Sequence, residues 1–401
     1  MISNPESRIP NQKLFWLRKN LFNSWFNSVL TVICLIFLVW VTWGVGNWVI
    51  SQAQWAVIKV NWRLFFVGRY PQSLYWRVWI ALAVTSALGG LTFGVFSQTS
   101  GFQRVYLGIY AFIIGLFLTI APLDTNSRLW LLIIVALAFV SSWIGGKLSK
   151  FIIPWISIAW LLSFLVSLWL INGGFVTFWL VFARLRLGFT AVPTNLWNGL
   201  LLTLIMAFVS IVLSFPIGIL LALGRTSNLP VVRWFCILYI EIIRGLPLIG
   251  ILFLAQVMLP LFLPTDLRLD RLLRAIAGLV IFSAAYMAEN VRGGLQAIPR
   301  GQIEAAKALG LNSYLVVLFI ILPQALRAVI PAIVGQFIGL FKDTSLLSLV
   351  GLVELTGIAR SIVAQPKFLG RYAEVYLFIG LIYWVFCYSM SLASKKLEKQ
   401  F

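Results

Sequence analysis

Between Pro299 and Gln324 the chain reads PRGQIEAAKALGLNSYLVVLFIILPQ, a short polar segment set among apolar ones. Pro299 cannot extend a preceding helix, Gly301 frees the turn, and Gln302 to Leu309 is a run of good helix formers with Gly310 just past its end. Ala305, Ala306 and Ala308 keep this helix thin, so a cleft on another protein could close on it at backbone distance. Glu304 offers such a partner an acid and Lys307 a base. The chemistry on offer is mechanical, a lever to be gripped. A plain amphipathic loop helix would look similar, but Gly310 six residues after Glu304, with Leu322-Pro323 further on, adds an ordered pattern.

A second group of residues could handle a charged solute. Glu241 and Arg244 stand three apart, as do Glu289 and Arg292, which lets each pair neutralise itself on one helical face. Lys342 and Asp343, then Glu354, Arg360 and Glu374, follow an apolar stretch and supply both signs of charge, as the carboxylate and ammonium of an amino acid require. A charge at the bilayer centre costs about 2.5–3.5 kcal/mol on insertion scales, so such groups face protein or a water-filled path. Glu289, Asp343, Lys342 and Glu241 are the candidates for a substrate path. The plainer alternatives are internal pairing that fixes helix packing and, for the later residues, an outer loop.

The elements that position these residues are membrane helices. The 401 residues are 61% hydrophobic and 10% charged, with mean hydropathy +0.98, against about 45–50% apolar and about 25% charged in soluble domains. A net charge of +20 would suggest nucleic acid in a soluble protein, but here the basic residues sit in short runs beside apolar stretches, where they meet anionic headgroups. Nucleic acid is not an expected partner. With no His, His-ligated metal and Ser-His-Asp or Cys-His catalysis are excluded. Cys34, Cys236 and Cys387 lie far apart in apolar runs, so neither a disulfide framework nor a metal site is indicated. The many Trp residues fit interfacial belts.

Roughly 20 apolar residues cross a bilayer, and about ten such stretches predict an all-α integral membrane protein: 28–50, 77–97, 104–121, 129–146, 152–172, 196–223, 233–262, 275–296, 314–341 and 374–393. Gly245 and Pro247 interrupt the seventh, so Glu241 could lie in a shallow interfacial helix while 246–262 still spans. The expected organisation is a basic tail over 1–27, an extension of about five spans over 28–180, and a working core over 194–397 with the lever at about 300–311. The first apolar run carries Trp40, Trp43 and Trp48 and no A-x-A-like exit, and reads as an uncleaved span. Both tails are basic, which places both termini in the cytoplasm; the interior loops barely discriminate.

The second half resembles the permease subunit of ABC importers for polar amino acids, the histidine/glutamine type. That family's coupling loop, EAA then Gly then I-x-LP, corresponds to Glu304-Ala305-Ala306, Gly310 and Ile320 to Pro323. Gly199-Leu200 to Thr203-Leu204, YIEIIRGLPL (Tyr239 to Leu248), ENVRGG (Glu289 to Gly294), KDTS (Lys342 to Ser345) and Glu354-Leu355-Thr356 follow in the family's order. WRLFFVGRYP (Trp62 to Pro71) and the long first half also resemble the larger permeases of general L-amino-acid importers.

The resemblance implies a five-helix type I importer core in a bacterial inner membrane, paired with a second permease in a heterodimer. Two ATPases would sit below it and a periplasmic amino-acid-binding protein above. It implies an ATPase groove on Arg300, Gly301, Gln302, Glu304, Ala305, Ala306, Lys307, Leu309 and Gly310, with ATP and Mg held by the partner and no cofactor on this chain. The absence of G-x-x-x-x-G-K-[ST] agrees, since Gly145-Gly146-Lys147 lacks the leading Gly and the following Ser/Thr. The competing reading is an ion-coupled secondary transporter using Glu289 and Asp343 without an ATPase; a membrane enzyme lacks the residues it would need.

Overall fold

The structure, a computed structural model, describes residues 16, 19–96, 122–173, 190–264 and 269–398. The expected span 104–121, most of the basic tail and the greater part of the linker near 180 lie outside the described residues. Among those described there is no strand, and eight helices are long and apolar enough to cross a membrane, or nine if one bent pair counts as a span.

The chain divides into two compact units, Met1–Ala56 and Val57–Phe401. The first carries α1 (Trp25–Asn47), started by Ser24, whose hydroxyl accepts from the Asn27 N–H, and continued in wider turns to Gln52. Its residues are apolar on every side, as expected where lipid is the solvent.

The second unit opens with α2 (Ala56–Val67), α3 (Tyr75–Phe96), α4 (Thr125–Lys147) and α5 (Ile156–Asn172). The seam between α3 and α4 is lined by Gly90, Gly94, Ser141, Ser142 and Gly145, whose small size lets the backbones nearly touch. In lipid, where helices gain nothing by hiding apolar surface from water, such close packing supplies the attraction. Tyr70 donates to the Ile171 carbonyl at 2.8 Å, and Phe65 and Phe378 pack edge to face at 4.9 Å, so these helices and the later ones share one core.

The later helices are α6 (Gly199–Arg225), α7 (Pro230–Gly245), α8 (Leu248–Phe262), α9 (Arg271–Gln296), α10 (Arg300–Ala308), α11 (Ser313–Ala328), α12 (Ile330–Asp343), α13 (Leu355–Val363) and α14 (Tyr372–Glu398). α6 and α9 pack side by side at the centre, with Leu202, Met206, Leu279 and Met287 fully enclosed. Gly199, at φ +64°, starts α6; its N–H donates to the Val353 carbonyl, and a Cβ there would lie 2.6 Å from the Phe65 carbonyl oxygen. Only glycine satisfies both that backbone angle and that approach.

Two expected spans are broken. The 233–262 stretch is α7 and α8 bent by 104°. Leu246 is extended (φ −98°, ψ 141°) because the proline after it disfavours the helical region, so the chain turns there. The 314–341 stretch is not one helix but α11 and α12, parted at Val329 (φ −110°, ψ 11°), with Pro331 in the first turn of α12. A proline lacks the donor that a continuous helix would need, but fits a helix start. Threefold turns carry α12 on to Val350.

Candidate functional site

The expected lever is α10, started at Pro299 and closed by Leu309, with Gly310 left-handed at φ +83°. Arg300, Gly301, Gln302, Glu304, Ala305, Lys307, Leu309 and Gly310 are exposed, and Leu309 is 83% exposed. Ala306, by contrast, is 4% exposed and turned into the chain's own structure, so it anchors the lever rather than offering it outward. The anchor continues in the backbone, where the Leu311 N–H donates to the Ala306 carbonyl at 3.2 Å. Gln324 reaches Gln302 at 3.5 Å, and the Gly294 backbone lies against the carbonyl of Ala325, so α11 braces the lever against the end of α9.

About one and a half turns before that brace lies a knot of charge. Glu289, its side chain 15% exposed, accepts from Arg292 Nη2 at 2.8 Å and from Arg225 Nη1 at 2.7 Å, with Arg244 Nη1 at 3.6 Å. Arg225 also meets Glu241 at 2.9 Å. The expected pairing of Glu289 with Arg292 is present, whereas Glu241 bonds across to α6 and Arg244 across to Glu289. Three cations thus sit near the C-terminal ends of α6, α7 and α9, where the helix dipoles favour positive charge, and two carboxylates offset part of their repulsion. The sequence offered no sign of the part played by Arg225, which lies 64 residues from Glu289 along the chain.

Glu289 and Asp343 are not brought together. Gln336 meets Ser283 at 3.5 Å and Asn290 meets the Ala332 carbonyl at 3.5 Å, so α9 and α12 run antiparallel. Counting six residues from Ser283 to Glu289 and seven from Gln336 to Asp343 puts the two carboxylates about 20 Å apart along the helices at 1.5 Å per residue. Lys342 is exposed and Asp343 half-buried, partway along the span Ile330–Val350.

Glu354, read as part of an outer loop, is fully enclosed. It starts α13 by accepting from the N–H groups of Thr356 (2.8 Å) and Gly357 (3.0 Å), and it accepts from the Tyr383 hydroxyl at 3.1 Å. Burial pushes its carboxyl up to about 7, while those donors pull the other way. The sequence signal was present: an acidic N-cap before LTGIARSIV, a helix with an apolar stripe. Thr203 links this corner to α6, donating to the Gly199 carbonyl and accepting from the Leu355 N–H. Among the described residues no group of three His, Cys, Asp or Glu is placed to hold a metal.

Comparison with known proteins gives this geometry a context. Residues 214–401 match the family described as binding-protein-dependent transport system inner membrane component. The chain is 38% identical to the inner membrane amino-acid ABC transporter permease protein YhdY of Escherichia coli (strain K12), over 99% of this chain and 95% of the relative. It is 34% identical to the glutamate/glutamine/aspartate/asparagine transport system permease protein BztC of Rhodobacter capsulatus, over 96% and 93%. A shorter relative, the probable glutamine ABC transporter permease protein GlnP of Bacillus subtilis, is 40% identical over 51% of this chain and 92% of its own length. Among solved structures, one described as an amino acid ABC transporter with histidines is 32% identical over 51% of this chain and 92% of its own, with a TM-score of 0.46. With two relatives of this similarity along nearly its whole length, the chain belongs to the amino-acid ABC transporter permeases, multi-pass components of the inner membrane.

Proposed function

We propose that this chain forms one side of the pathway of an ATP-driven importer and is moved through α10 by a separate ATPase. The exposed face of α10 carries the argument. It is a short polar helix outside the apolar spans, exposed from Arg300 to Gly310 except at Ile303 and Ala306, and it is closed by Leu309, itself 83% exposed. Ala305 and Ala308 beside it keep the approach close, and Glu304 and Lys307 give it charge register. In this reading Arg300 to Gly310 lies in the cytoplasm with both termini, and ATP and Mg belong to the ATPase dimer. A second permease completes the pathway, and a periplasmic binding protein delivers an L-amino acid to it. The names of the relatives favour polar and acidic side chains, including glutamate and glutamine.

The test is Glu304→Lys together with deletion of 302–309, each expressed with the ATPase and scored for copurification and for amino-acid uptake. Both variants should insert and lose the ATPase, with uptake falling to background. Uptake at the normal level, or transport by the purified chain alone on an ion gradient, would overturn the reading in favour of a secondary transporter.

A further inference from the structure

We propose that Glu289 is a positioning residue that passes movement of the lever into α6 and α7, a role that rests on the coupling function argued for α10. The lever is joined to α9 by three residues, Ala297 to Pro299, and the Ala297 N–H is itself bonded to the carbonyls of Gly293 and Gly294. On its other side α11 is held to the lever through Gln324 and pressed on α9 at Gly294, and the turn leading into it is tied back by the Leu311 N–H on the Ala306 carbonyl. Lever, α11 and the last turns of α9 are therefore one block, and a pull on α10 displaces the end of α9 rather than stretching a loose linker.

Beyond the neutral contact of Asn290 with the Ala332 carbonyl, this block is tied to its neighbours by charge at Glu289. The ion pairs of Arg225 and Arg244 with Glu289 tie α9 to α6 and α7, whereas the pair of Arg225 with Glu241 joins α6 to α7 without touching α9. Glu241 cannot substitute, since its side chain is 56% exposed and Arg225 is its only partner among the ion pairs of the described residues. Neutralising Glu289 would leave three guanidiniums facing one carboxylate, the exposed Glu241, so the contact of α9 with α6 and α7 would become net repulsive and α9 would move without its neighbours.

The experiment uses the full complex in proteoliposomes, with Glu289→Gln and the matched pair Arg225→Gln/Glu289→Gln compared with the native chain. Amino acid imported per ATP hydrolysed is measured beside the thermal midpoint of the complex. Glu289→Gln should lower the import per ATP by at least about fivefold, the low end of energetic coupling between separated sites, while the ATPase still copurifies. The double variant, with the excess cation removed, should regain thermal stability but not the import ratio. A native ratio in Glu289→Gln, or recovery of the ratio along with stability in the double variant, would reduce Glu289 to a static clamp and overturn the proposal. A native complex that never copurifies, or never couples transport to ATP, would instead strike at the function of α10.

Discussion

Two adjacent glycines in the ENVRGG segment should behave oppositely when changed to alanine. A Cβ on Gly294 would stand 2.5 Å from the Ala325 carbonyl oxygen and 2.9 Å from Val329 Cγ1, whereas one on Gly293 would meet nothing within 4 Å. Since real Cβ atoms essentially never approach closer than 3.0 Å, Gly294→Ala must part α9 and α11. Overpacking of this kind costs about 1–3 kcal/mol, while replacing glycine in a helix interior returns about 0.5–1 kcal/mol. The expected result is that Gly293→Ala is neutral or stabilising by up to about 1 kcal/mol and that Gly294→Ala lies about 1–3 kcal/mol below it. Thermal midpoints of the two detergent-purified variants, taken in parallel, read this difference directly. Because the wedge falls where α11 braces the lever, uptake by Gly294→Ala should fall further than its stability does. Equal midpoints and equal uptake for the two variants would refute the close packing of α9 on α11, and with it the transmission route.

Other expectations follow from the same geometry. Gly199→Ala combines a left-handed backbone angle, costing about 1–2 kcal/mol for a residue with a Cβ, with collision against the Phe65 carbonyl; it should yield little folded protein, while Gly335→Ala, open on all sides, should yield normal amounts. The Glu354 carboxyl, raised from 4.5 to about 7 in the folded chain, favours the neutral form. Its contribution is complete below about 4.5 and is lost as pH rises through about 7, so the thermal midpoint should fall between pH 5 and pH 8. Glu354→Gln should flatten that slope, and an unchanged slope would show that the carboxyl is not the group responsible.

The apolar runs announced the membrane class and most of the spans, because lipid requires a fixed length of apolar helix and that requirement acts on each segment separately. The helix α10 was equally plain, being a local matter of helix formers between Pro299 and Gly310. Spacing three apart could name Arg292 as a partner for Glu289, since both lie on one helix. It could not name Arg225, which is 64 residues away and arrives only because α6 and α9 run side by side. The 104° bend between α7 and α8 was signalled by Gly245 and Pro247, but the delivery of Glu241 and Arg244 to two different helices was not. The distance between Glu289 and Asp343 and the burial of Glu354 depended likewise on packing, the first on the antiparallel register of α9 and α12, the second on Tyr383 and Thr203 closing over α13. Apolarity and helix propensity are properties of a segment, so the sequence determined most of the membrane-spanning helices and the place of the short polar helix α10. Charge pairing depends on distance in space, so only the tertiary structure decided which carboxylate holds which guanidinium.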